Sequence, residues 1–201
     1  MTHNSKLELG SLLGLFLLLL FLPVFAQAQN PYDTFKQFSA TGVTSGKTGE
    51  HTMKIYRSGD KMRTDMATTG YMIIDMSEHT AYMVMNGMCM QMPKTADSEQ
   101  NPFTQAQDAT YERTPAGTDV VDGHPCKVEN VTVTPRNGQP IKRKVWEAED
   151  LKGFPIKSEM QTSKGTITME YKDVSFSEPQ ASLFAHPENC RQMPSMPGGP
   201  H

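Results

Sequence analysis

The chain has a single tryptophan and three cysteines among 201 residues, and no surplus of either charge: 19 lysines and arginines stand against 22 acids. With a formal charge of -3 and basic residues scattered among acidic ones, it lacks the stripe a nucleic-acid binder needs and the cationic helix that lies on anionic membranes. Cys89, Cys126 and Cys190 are too widely spaced for a zinc motif. No internal repeat, nucleophile elbow, zinc-helix motif or phosphate loop is present, so no cofactor is implied and the sequence reads as non-enzymatic. Helical periodicity is scarce as well. It is weak between Asn30 and Gln37 and between Phe103 and Asp108, and reaches one turn near Gln180 to Phe184.

Long apolar runs are missing, with one exception. Leu12 to Phe25 is apolar but shorter than the roughly 20 residues a spanning helix needs. Ala26-Gln27-Ala28 follows in the small-residue pattern of a secretory signal. The expectation is a signal peptide over 1–28, cleaved between Ala28 and Gln29. No cysteine stands near that point to take a lipid, so the product is expected to be soluble, periplasmic or secreted, and not membrane-spanning after processing. Residues 29–192 then form one domain, and 193–201 a Pro/Gly tail.

Turn chemistry, by contrast, is abundant. Ser45-Gly46, Ser58-Gly59-Asp60, Ser77 to His79, Asn86-Gly87, Asp122-Gly123, Asn137-Gly138 and Ser163-Lys164-Gly165 punctuate alternating stretches, the signature of consecutive hairpins. Between them, 94–117 is polar and aperiodic and is expected to be a long loop. Alternation slips twice, from Val128 to Val131 and from Tyr171 to Val174. Each slip predicts a β-bulge and hence curvature. The fold class is mainly β, a single antiparallel sheet with little helix.

The segments "MKIYRSGDKMRTDM", "YMIIDMSEHTAYMVM", "GHPCKVENVTV", "KVWEAEDLKGFPIKSEM" and "SLFAHPENC" resemble an exported bacterial family of unknown function that is similar to LolA-like outer-membrane lipoprotein carriers. The resemblance covers most of Phe35 to Cys190. It implies a strongly curved sheet forming an incomplete barrel, lined with apolar side chains where LolA-like proteins hold acyl chains. Asp60, Lys61 and Arg63 match the most regular motif, although a charged hairpin tip is ordinarily just solvated.

Methionine is the other excess, with 15 residues. "YMVMNGMCMQMP" over 82–93 folds about Asn86-Gly87 so that Met85 faces Met88, Met83 faces Met90 and Ala81 faces Met92. The two-residue period sets Met83, Met85, Met88, Met90 and Met92 on one face and Cys89 on the other. Burying each methionine is worth about 1.5 to 3 kcal/mol, so that face should be covered. Three readings follow. The side chains line the core, with Met53, Met62, Met66, Met72 and Met76 extending the lining; they hold an apolar ligand such as a lipid or acyl chain; or Met83, Met85, Met88 and Met90 offer thioethers to Cu(I). A structural module meeting an envelope protein is a plainer alternative. His51, His124 and His186 read as surface or hydrogen-bonded structural residues. Trp146 is expected to pack on Phe154 or the sheet. A disulfide between Cys126 and Cys190, at the two ends of the second half, is expected in an oxidising compartment.

Overall fold

Glycine and asparagine turns set the strand boundaries in the computed structural model, which describes residues 30–67, 70–92, 109–135 and 139–192. The segment 1–28, the helical pattern at Phe103 to Asp108, the Asn137-Gly138 turn and the tail 193–201 lie outside these residues. Strands β1 (Gln37–Gly46) and β2 (Gly49–Ser58) meet at Lys47-Thr48, two residues later than the Ser45-Gly46 pair suggests, with Gly46 opposite Gly49. A meander follows: β3 (Lys61–Met66), β4 (Gly70–Asp75), β5 (Thr80–Met85) and β6 (Met88–Met92). Asn86 and Gly87 close its last hairpin with φ of 50° and 76°, the two positive values that match strand twist.

The second half runs through β7 (Thr110–Val121), β8 (His124–Thr134), β9 (Ile141–Ala148), β10 (Phe154–Thr162) and β11 (Gly165–Ser175), and ends in the two-residue β12 (Arg191–Gln192). All twelve strands form one open sheet in the order β12-β6-β5-β4-β3-β2-β1-β11-β10-β9-β8-β7. Among the described residues only the β12–β6 pairing is parallel. The sheet is curved and does not close into a barrel. No α-helix occurs among the described residues; short 3-10 turns stand at Pro31–Thr34, Glu149–Leu151 and Ala181–Phe184. The first takes the place of the helical pattern after Asn30, whose side chain caps the Tyr32 amide at 3.0 Å.

Two expectations need correction. The polar stretch 94–117 is not loop to its end, because Thr110 to Gly117 belong to β7. This edge strand is exposed along most of its length, so neither of its faces demands apolar residues and alternation never appears in the sequence. The slip at Val128 to Val131 is also not a bulge in β8, whose pairing with β9 is unbroken. Instead the strand changes the face it buries. Cys126 and Val128 join Trp146, Ala148 and Ile156 in one cluster, while Val131 and Val133 join Val145 in the main core with Phe38, Ile55, Met62, Phe154 and Tyr171. A bulge does lie across from this point in β7, where Ala116 is the extra residue between Pro115 and Gly117. The second slip is a true bulge: Thr41 pairs with Lys172 and Ser39 with Ser175, leaving Asp173 and Val174 opposite Ala40 alone. Asp173 takes a φ of 53° there.

Candidate functional site

Cross-strand register assembles the methionines into rows. Met53, Met66, Gly70, Met85 and Met88 stand opposite one another in turn from β2 to β6. The next row is Ile55, Thr64, Met72, Met83 and Met90; the third is Arg57, Met62, Ile74, Ala81 and Met92. Because cross-strand partners share a face, nine methionines of five adjacent strands present thioethers on one side of the sheet. Met53, Met62, Met66 and Met72 extend the hairpin's face. Met76 does not, since it lies in the turn between β4 and β5 and its amide bonds to the Asp60 carbonyl at 2.9 Å.

Cover over this face is graded. Met62 is buried in the core, Met53, Met66, Met72, Met83, Met85, Met90 and Met92 are half-buried, and Met88 at the hairpin tip is 66% exposed. The expectation of a fully covered face therefore fails at Met88, which follows the turn directly and has no strand beyond it in its row among the described residues. Small residues keep the face shallow in two places. A Cβ on Gly42 would stand 2.7 Å from Ile55 Cδ1 and 3.2 Å from Met53 Cγ. One on Gly70 would stand 1.8 Å from the Val84 carbonyl oxygen, and Gly70 has a φ of 145°.

At the inner end of the third row stands a charge that sequence reasoning missed. Arg57 is 0% exposed. Its Nη2 donates to Asp33 Oδ1 at 2.7 Å and its Nε to the Gly59 carbonyl at 3.2 Å. Lys36 bridges Asp33 at 2.8 Å and Asp60 at 3.2 Å. Burial works to raise the Asp33 carboxyl, but the hydrogen bonds from Lys36 and Arg57 outweigh it and hold the group below the usual carboxylate range. The flanking Gly-Asp turn was the available signal, since a hairpin tip can fold its own arginine back. A second unforeseen network lies near β7. Arg113 pairs with Glu129 and Glu147, and burial pushes the Glu147 carboxyl up.

The opposite face of β3 to β6 is met by the segment after β11. Arg63 lies 3.9 Å from the centre of the Tyr71 ring, pairs with Asp65, and donates from Nη1 to the Leu183 carbonyl at 3.0 Å. The motif residue Arg63 thus fastens the segment after β11 to the sheet. Lys61 lies 3.6 Å from Asp75. Cys89 points to this face, opposite Val84, and bonds to Cys190. The expected Cys126–Cys190 disulfide is therefore wrong: β12 pairs parallel with β6, Arg191 against Met90, and so sets Cys190 beside Cys89. Cys126 is free and buried on β8, near the other edge.

Among the other singled-out residues, His124 Nδ1 lies 2.8 Å from Asp150, and His51 is exposed. Trp146 packs with Val128, Ala148 and Ile156 on the sheet rather than with Phe154, and its Nε1 donates to Asp119 at 2.9 Å. These residues do not converge with the methionine rows.

No family model matches the chain, and no curated protein matches it. Solved structures do. The Pseudomonas aeruginosa MucA/MucB complex is similar at 16% identity and a TM-score of 0.48, over 81% of this chain and 60% of that one. A LolA superfamily protein from Nitrosomonas europaea is similar at 8% identity and 0.40, over 77% and 94%. The Mycobacterium tuberculosis lipoprotein LppX is similar at 11% identity and 0.40, over 71% and 88%. The chain spans about 60% of the length of MucB. A LolA superfamily member thus stands among the similar structures. These likenesses concern fold, and none carries an argument about ligands.

Proposed function

We propose that this is an exported, non-enzymatic protein that holds an apolar chain, such as a lipid or acyl chain, against its methionine-lined face. The observation that carries this reading is the graded exposure of the rows. A pure core would bury them all, whereas here seven of the nine are half-buried and Met88 is open. Full burial of an exposed methionine is worth about 1.5 to 3 kcal/mol, so a ligand that completes the burial of several half-buried ones gains a fraction of that at each. Unbranched thioethers re-pack around chains of differing shape, which suits a carrier more than a selective pocket. The apolar run and Ala-x-Ala pattern before Gln29 support export to a periplasm or beyond.

Native mass spectrometry of protein purified gently from its own compartment tests the reading, with co-purifying lipid as the expected result. A second reading has its own support, since Met83 opposite Met90 and Met85 opposite Met88 set thioethers in pairs that suit Cu(I). Cys89 would take no part, being bonded to Cys190. Met85→Leu with Met88→Leu separates the two: apolar-ligand retention survives the swap, and Cu(I) retention is abolished.

A further inference from the structure

Three side chains with metal-binding atoms meet on the face away from the methionines. Asp75 ends β4, Glu78 lies in the turn that follows, and His186 comes from the covering segment after the Ala181–Phe184 turn. One donor atom from each lies within 4.8 Å of the others. The acids come from one turn, but the imidazole arrives from over a hundred residues away. Its ring rests against Tyr82 with centroids 5.1 Å apart, and its Nε2 stands 4.0 Å from Glu78 Oε2.

Asp75 supplies the observation that turns a charge cluster into a site. It is 1% exposed. Its Oδ1 accepts from the Ser77 amide at 3.1 Å, the Ser77 hydroxyl at 2.7 Å and the Glu78 amide at 3.0 Å. Its Oδ2 is buried and accepts no hydrogen bond. A buried carboxylate oxygen without such a bond is costly. The nearest cation, the Lys61 ammonium, stands 3.6 Å away on a side chain that is 41% exposed, so it can swing into solvent.

The geometry points to a divalent transition-metal site, of zinc type, made by Asp75 Oδ2, Glu78 and His186, with water completing the shell. An imidazole with two carboxylates is a set that zinc accepts, and it disfavours magnesium and calcium, which prefer all-oxygen shells. Tetrahedral zinc, with bonds of about 2.0 to 2.2 Å, separates its ligand atoms by about 3.4 Å. The cluster must close by roughly an ångström or more from its 4.8 Å limit. Glu78 and His186, 58% and 43% exposed, have the freedom to do so. The metal displaces Lys61 and pins the covering segment to the β4–β5 turn, a further fastening beside the Arg63–Leu183 hydrogen bond and the Cys89–Cys190 bond.

Calorimetric titration of the untagged, oxidised protein with zinc chloride tests the site. Wild type is expected to take up zinc, with magnesium chloride giving no comparable heat. His186→Ala should weaken zinc binding by at least about tenfold, since loss of a ligand costs no less than loss of an outer-shell partner. His186 is partly exposed, so this variant keeps its fold, as circular dichroism will check; Asp75→Asn would disturb the turn. His51→Ala, an exposed histidine on β2, should leave binding unchanged. Lys61→Gln removes the competing ammonium and should tighten it. A wild type that takes up no zinc, His186→Ala and His51→Ala variants that bind alike, or a Lys61→Gln variant that binds more weakly would each overturn the assignment.

Discussion

Cys89 and Cys190, 101 residues apart, are bonded where the two-residue β12 lies along β6. In the chain-entropy model a loop of this length stabilises the folded state by about 4.7 kcal/mol at most. Cys190→Ser should therefore lower the urea midpoint substantially, while Cys126→Ser moves it much less. Peptide mapping of the oxidised protein should recover the Cys89–Cys190 pair alone.

Cys126 is 2% exposed, and burial pushes its thiol up from the ordinary value. An inaccessible, protonated thiol is a poor nucleophile. In native buffer at pH 7.5 it should resist iodoacetamide, and in denaturant it should react fully; mass spectrometry distinguishes the two.

Asp33 gives the stability a defined acid dependence. Its carboxyl is held low by Lys36 and Arg57 against the effect of burial, so the folded state binds a proton there less readily than the unfolded state. Its contribution is fully present above the unfolded value of about 3.9 and disappears as pH falls through the lower folded value. Asp33→Asn should flatten the stability profile across that acid window. At pH 7 it should cost about 1 kcal/mol, because Asn keeps an oxygen that accepts from Arg57 but loses the charge that pairs with it, and Asp33 is partly exposed.

The graded methionine face predicts a graded mutational response. Met62→Ala removes a side chain 1% exposed and should cost about 2 to 5 kcal/mol. Met88→Ala, at 66% exposure, should stay within about 0.5 kcal/mol. Even Met88→Asp should fold, because the carboxylate stays in water.

Gly70→Ala should be among the most damaging small substitutions. The added Cβ would meet a main-chain carbonyl at 1.8 Å, on a backbone with φ of 145°. Strain of this kind costs about 1 to 3 kcal/mol before the clash with Val84 is counted. Equilibrium urea unfolding measures it.

The hairpin order, the Asn86-Gly87 register and the shared face of the methionines were legible because turns and two-residue alternation are local properties. β7 was not, because an edge strand exposed along most of its length reads as Thr-Tyr-Glu-Arg-Thr-Pro-Ala-Gly, where only Tyr111 and Ala116 pack inward and they do not set up an alternation. Arg57 was missed since a buried arginine and a solvated one are the same letter, and only the Asp33 contact tells them apart. The cysteine pairing depends on which strand ends beside which. That is a property of sheet order, invisible to sequence distance.

An open sheet has two raw edges, and each can recruit another chain and grow into an aggregate. Here the two are blunted by different means. On β7 the break is built in: Pro115 offers no amide, and the extra Ala116 kinks the ladder. On β6 the stopper is β12, held in place by a bond that a reductant removes. Once that bond is reduced, β12 is free to leave and β6 becomes a template for another strand. Resistance to edge-to-edge association is thus tied to the oxidised state of the Cys89–Cys190 bond.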